Sequence, residues 1–191
     1  MPLFLLEYSA SARSRDEVRP LFEQVARLVE QAGGEFIEAQ VPTALDRAYV
    51  VVEHADESAL QAALREGGAA PRGVAQVRLV GANLEDVKAA RDAAPADYLV
   101  EWDFPAGLAM DTYLERKKAK APLYAQVPEV RFLRTYVCED MTKCLCFYQA
   151  QDEAAVRRAR EVVSTPITRL SPLAGTPAPE AAVAAGRGSG A

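Results

Sequence analysis

The chain has 191 residues, of which 50% are hydrophobic and 26% charged, with a net charge of −5. That size supports one large domain or two small ones of ordinary globular composition. The acidic balance argues against nonspecific affinity for nucleic acid or anionic membrane, and no apolar run approaches the ~20 residues that a membrane-spanning helix needs.

In chain order, LFLLEY at residues 3–8 reads as a strand, and its apolar start has no basic region before it, so it is expected to be a strand and not a signal peptide. Residues 16–32 place Val18, Leu21, Phe22, Val25, Leu28, Val29 and Ala32 on one helical stripe, with Pro20 in the first turn and Gly33-Gly34 as the stop. Residues 35–41 and 48–53 form a hairpin. Asp56 then caps a helix through Leu60 and Leu64, and residues 74–80 give a last strand. The order is β-α-β-β-α-β. A short helical connector is expected at residues 84–94, closed by Pro95.

The same order then recurs. Glu101 in DYLVEW falls on Glu7, 94 positions earlier, while Phe132 falls on Phe36 and Cys146 on Val50, each 96 positions earlier. Asp152 lands on the capping Asp56. A near-constant offset through separated segments is what a duplicated unit gives. The second copy departs at its first helix, where residues 110–126 are polar, with Lys117, Lys118 and Lys120 expected on a solvated face and Pro122 ending the helix. The fold class expected is α+β: tandem ferredoxin-like βαββαβ repeats, opposed sheet to sheet in a pseudo-dimeric α/β barrel. Residues 1–81 form the first repeat, 82–96 the connector, 97–173 the second repeat, and 174–191 a Pro/Ala/Gly-rich disordered tail.

The hairpin at residues 130–150 carries all three cysteines, an odd number that points to reduced thiols in a cytoplasm and not to a secreted disulfide framework. If its loop closes with Cys138 opposite Cys144, then Phe132, Arg134, Tyr136 and Cys138 share a face with Cys144, Cys146 and Tyr148. By the same alternation Glu101 joins them, and the first repeat adds Glu7, Glu38, Gln40, Val50, Val52 and His54. The candidate catalytic residues are Glu101, Tyr136, Tyr148 and Arg134. Glu101 serves as base or anchor, the tyrosines as hydrogen-bond donors and Arg134 as an anion clamp. Glu7, His54 and Cys146 are candidate ligand contacts, His54 as proton carrier. A Glu101–Arg134 pair that is only structural is the competing expectation.

YLVEWDFP at residues 98–105, FLRTYV at 132–137, Asp140, Lys143, CFYQAQDE at 146–153 and TPITRL at 165–170 together resemble a family of small ferredoxin-like domains of unknown function, some of which are described as nickel-binding. Carried over by position, the family's polar residues are Glu101, Tyr136, Asp140, Lys143, Cys146 and Tyr148. The chain departs from the family where Trp102 replaces a basic residue and Arg134 replaces a histidine, and an arginine cannot ligate a metal. Two functions follow. The first is a small-molecule-binding barrel without a cofactor, with isomerase, cyclase or lyase chemistry between the sheets. The alternative is a nickel-binding protein using Glu7, Glu101, His54 and Cys146, for which one histidine is thin support. The partner expected is a small molecule, with homo-oligomers compatible with the fold. A scaffolding module with no ligand is a third reading.

Overall fold

The computed structural model describes residues 1–90 and 95–173; the end of the expected connector and the expected tail lie outside the described residues. The strands are β1 (Leu3–Ser9), β2 (Glu35–Gln40), β3 (Arg47–Glu53), β4 (Gly73–Val80), β5 (Tyr98–Asp103), β6 (Val130–Cys138), β7 (Lys143–Ala150) and β8 (Arg169–Pro172). The helices are α1 (Arg19–Gln31), α2 (Glu57–Glu66), α3 (Leu84–Ala90), α4 (Met110–Lys120) and α5 (Glu153–Val162), with 3₁₀ turns at Arg15–Glu17 and Ala121–Gln126. Pro20 sits in the first turn of α1, where its missing N–H costs nothing. Asp56 and Asp152 cap α2 and α5 by accepting from the backbone N–H of Ala59 at 3.0 Å and Ala155 at 2.8 Å.

All eight strands form one antiparallel sheet in the order β2-β3-β1-β4-β6-β7-β5-β8. The first four and the last four strands each follow the pattern 2-3-1-4 within their own half, joined through β4 and β6. The two edge strands approach each other at one point, where Thr43 N–H donates to the Pro172 carbonyl at 2.9 Å and Pro42 bridges Leu173. On one face of the first half, Phe22, Val25 and Val29 of α1 and Leu60 and Leu64 of α2 pack on Phe4, Leu6, Val50 and Val52. On the same face of the second half, α4 and α5 cover Val100, Val137, Cys144, Cys146 and Tyr148. The opposite face joins both halves in one core that includes Leu5, Ile37, Tyr49, Val51, Leu99, Tyr136, Leu145 and Phe147.

The hairpin register differs from the sequence expectation. Its loop has four residues and not five: Met141 takes a left-handed φ of 57° and donates its N–H to the Cys138 carbonyl at 2.9 Å. Lys143 therefore begins β7, so that Val137 faces Cys144 and Tyr136 faces Leu145. A one-residue slip exchanges the faces of a strand. Cys144, Cys146 and Tyr148 consequently lie under the helices, opposite to Arg134, Tyr136 and Cys138. The same inversion applies to β3. Tyr49 pairs with the inward Glu7 and faces inward with Val51, whereas Val50 and Val52 face α1 and α2.

Candidate functional site

Two polar clusters hold the two halves together through the interior face. Glu38 and Arg134 stand next to register shifts in β2 and β6, at equivalent places in the two halves, and pair with each other. Arg134 donates from Nε to Glu38 Oε1 at 2.8 Å and from Nη2 to Oε2 at 2.5 Å. The Tyr136 hydroxyl donates to Oε1 at 2.5 Å and the Gln40 amide to Oε2 at 3.0 Å. Burial pushes the Glu38 carboxyl up, but the Arg134 charge and these donors outweigh it and hold it below the usual carboxylate range. The Glu101–Arg134 pair expected from strand parity does not form, because Glu38 claims the guanidinium.

Glu101 belongs to the second cluster. Its Oε2 accepts from Arg169 at 3.1 Å, Lys143 lies 3.9 Å from its Oε1, and Tyr49 hydrogen-bonds to it. Lys143 also pairs with Glu7, which Arg72 reaches at 3.4 Å. Burial raises the Glu101 carboxyl, against the opposing pull of Tyr49, Lys143 and Arg47. His54 stands apart from both clusters. It is buried, its Nδ1 accepts from the Asp56 backbone N–H at 3.0 Å, and its Nε2 therefore donates to the Ala32 carbonyl at 2.9 Å. Gly34 permits this contact, since a Cβ there would lie 2.8 Å from the imidazole and 2.6 Å from the Glu53 carbonyl. With both ring nitrogens engaged, His54 ties α1 to β3 and cannot act as the proton carrier expected of it.

The open pocket lies on the other face, against the second half. Its cavity of about 260 Å³ lies between α4, α5 and the segment 163–166. Trp102, Leu108, Tyr113 and Tyr124 give it apolar and aromatic walls, while Arg116, Lys117, Lys120 and Arg160 supply cationic ones, with no acidic side chain among the described residues of the lining. Arg160 is 3% exposed. Its Nη1 donates to the Tyr148 hydroxyl at 3.2 Å and toward Cys146 Sγ at 3.6 Å, and its Nη2 to the Pro166 carbonyl at 2.5 Å. Its Nε has no partner among the described residues. The Lys117 ammonium donates to Thr135 Oγ1 at 3.2 Å and sits 4.1 Å above the centre of the Phe132 ring. Burial lowers the Lys117 pKa. Among the described residues neither the buried Arg160 nor the half-buried Lys117 has a carboxylate partner, which is unusual for a buried guanidinium.

Of the residues expected to form a site, Tyr148 and Cys146 lie beneath this pocket, Arg134 and Tyr136 are joined through Glu38, Glu101 and Glu7 are joined through Lys143, and His54 is remote. The sequence reading missed Lys117, Arg160, Tyr113, Tyr124 and Thr135. Lys117 follows Tyr113 by four residues, so the two share a helical face, and Lys117 is not on the solvated side. Arg160 interrupts the stripe formed by Val156 and Val163. A charge inside an apolar stripe was the signal available.

A mixed α/β protein with one eight-stranded antiparallel sheet and a cationic pocket under the helices α4 and α5 is thus the class that fold and geometry define. Residues 98–173 match the model of the family described as nickel responsive protein SCO4226-like. Among solved structures, a Lactobacillus acidophilus NCFM protein provisionally described as a monooxygenase aligns with a TM-score of 0.50 at 10% identity, covering 91% of this chain and 93% of its own. That likeness is one of fold. A protein provisionally described as chlorite dismutase TA0507 aligns at 14% identity with a TM-score of 0.47, over 92% of this chain and 96% of its own. No curated protein matches the chain. Among the described residues, no helix is long and apolar enough to cross a membrane.

The donors for nickel do not fit. Among the described residues no three or more His, Cys, Asp or Glu side chains gather as a metal site. Arg134 is locked to Glu38, His54 is spent on the backbone, Glu7 and Glu101 share Lys143, and Cys146 faces Arg160.

Proposed function

We propose that the protein binds a small anionic molecule with a flat apolar body, in the pocket between α4, α5 and the outer face of β5–β7. The observation that carries this reading is a pair of cations, the buried Arg160 and the half-buried Lys117, lining an aromatic cavity with no carboxylate among the described residues to neutralise them. An anion that reaches both, while its body lies against Trp102, Leu108 and Tyr124, would supply the missing charge and bury apolar surface. The interior face of the sheet has less to offer. Tyr136 and Arg134 are committed to Glu38, and Glu101 is engaged by Lys143 and Arg169, so an isomerase, cyclase or lyase there would lack an open acid–base pair.

The chain itself is, in this reading, a duplicated ferredoxin-like unit. Equivalent register shifts, equivalent Asp caps, the Glu38–Arg134 pairing of equivalent positions and the repeated strand order all support it. The strip would then close into a pseudo-dimeric α/β barrel at Pro42 and Leu173, with residues 1–81 and 97–173 as its halves. The second half would carry the ligand, since its helices bring Lys117 and Arg160 to a cavity.

Melting curves with benzoate, 1-naphthoate and phenyl phosphate, against benzamide as the neutral isostere, test the binding reading. The anions should raise the melting temperature saturably, and Lys117→Met should remove the effect while the protein stays folded. Equal responses to benzoate and benzamide, or none to any anion, would refute it. The matched family's description brings nickel as a second reading, and the same melts with nickel should show no saturable shift.

A further inference from the structure

The ligand reading makes no use of the two thiols beneath the pocket floor. Cys144 and Cys146 stand two residues apart on one face of β7, with their sulfurs 3.7 Å apart. Thr135 Oγ1 lies 3.1 Å from Cys146 Sγ, and the same hydroxyl accepts from Lys117. Arg160 Nη1 reaches Cys146 Sγ from α5, and Tyr113 of α4 hydrogen-bonds to Cys144. Tyr148 and Tyr124 complete the surroundings through their mutual hydrogen bond of 3.0 Å. Among the described residues no acidic side chain lies in the lining of the cavity above them.

We propose that Cys146 and Cys144 are a peroxide-reactive thiol pair that oxidises to an intrastrand disulfide, Cys146 attacking first and Cys144 resolving. The pairing of roles follows from the partners. Both cations act on both thiols, but Arg160 Nη1 and the Thr135 hydroxyl reach Cys146 Sγ directly, whereas Cys144 has the Tyr113 phenol and the sulfur beside it. A proton shared between the two sulfurs therefore resides on Cys144: its hydrogen bond, with the two cations, holds Cys146 well below the ordinary thiol range, and Cys144 is pushed up correspondingly. Tyr113, Lys117 and Arg160 each line the cavity and each bear on the thiol pair, while both sulfurs are buried beneath that lining, so a peroxide in the cavity must pass these side chains to reach Cys146.

The steps balance. The Cys146 thiolate attacks one oxygen of hydrogen peroxide, the O–O bond breaks, and the departing hydroxide takes a proton to become water; Cys146 sulfur, oxidised by two electrons, becomes a sulfenic acid. The Cys144 sulfur then attacks Cys146, the S–S bond forms, the S–O bond breaks, and hydroxide leaves with the Cys144 proton as a second water. Two thiols and one peroxide give one disulfide and two waters. Cys138 is the internal control. It is buried on the opposite face of the sheet, and burial pushes its thiol up.

This inference stands independently of the anion-binding reading, and peptide mapping tests it on the full chain. Trypsin cuts after Arg134, Lys143 and Arg157, so residues 144–157 carry both thiols of the pair and residues 135–143 carry Cys138. The reduced protein is exposed to equimolar hydrogen peroxide, denatured, alkylated with N-ethylmaleimide and digested. The fragment 144–157 should appear two hydrogens lighter and unalkylated, at least about tenfold faster than any oxidation of Cys138. In Cys144→Ser, dimedone should label Cys146. Should that variant fail to fold, the wild-type fragments decide alone. Oxidation of Cys138 at the same rate, or a fragment 144–157 that still takes two maleimides, would overturn the proposal.

Discussion

Breaking the Glu38–Arg134 pair should be among the most destabilising single changes available in this chain. Glu38 is 4% exposed and Arg134 8%, and the carboxylate accepts four hydrogen bonds, two from Arg134 and one each from Tyr136 and Gln40. Glu38→Leu removes the charge and every acceptor it offers, leaving a buried cation unpaired at a cost of about 3–5 kcal/mol. Arg134→Met leaves the carboxylate two donors, Tyr136 and Gln40, so its cost should fall near the lower end, about 3 kcal/mol. The double variant Glu38→Leu with Arg134→Met removes both charges and places apolar groups against Phe147, over which Arg134 now stacks at 4.8 Å. It should lie within about 2 kcal/mol of wild type, far short of the roughly 6 kcal/mol or more to which the single changes sum, so the coupling in urea denaturation at pH 7 should be at least about 4 kcal/mol. The sign with pH is also fixed. The folded-state pKa of Glu38 is depressed, so its contribution is fully present above the unfolded carboxylate pKa of about 4.3 and is lost as pH falls through the lower folded value. The double variant should therefore lose less stability than wild type between neutral pH and the acid range. Single variants costing under about 1 kcal/mol each and adding without coupling would refute the view that this pair joins the halves.

Other outcomes follow from the same geometry. Glu101 has the opposite linkage: burial raises its folded pKa, so its contribution is present at low pH and lost as pH rises through that value, and Glu101→Gln should cost less than about 1 kcal/mol at pH 7 while flattening the pH profile of melting above the ordinary carboxylate pKa. His54→Ala should cost about 2–3 kcal/mol through two lost buried hydrogen bonds, measured by urea denaturation, with no change in anion binding. Asp152→Ala should cost about 1 kcal/mol by removing the cap of α5, read from the same curves. Chelator treatment should leave the melting temperature unchanged; a fall restored by nickel alone would contradict the donor geometry.

The sequence made the element order legible because its signals are local: Gly33-Gly34 after a periodic stripe, Asp56 and Asp152 before one, and runs of Val and Tyr between turns. It also placed Glu7 and Glu101 on the inward face, where they lie. It did not place Cys146 and Tyr148, because the loop after Cys138 closes with four residues through a left-handed Met141, a conformation that no residue in EDMT announces. One residue of loop length then exchanged the faces of the hairpin. The partner of Arg134 was out of reach for a different reason. Alternation says which side chains share a face, but the pairing of Glu38 with Arg134 depends on how the two halves fold over one another. Lys117 was hidden by composition, as three lysines within four residues read as solvated until α4 is seen lying against β6.

The most direct measurement is the anomalous scattering of bromine in crystals of the full chain soaked with 4-bromobenzoate. The bromine should appear in the pocket between α4 and α5, near Trp102 and Leu108, with the carboxylate against Lys117 and Arg160. Bromine on the interior face beside Glu101 and Tyr136, or in no ordered position at a concentration that saturates binding in solution, would contradict the account.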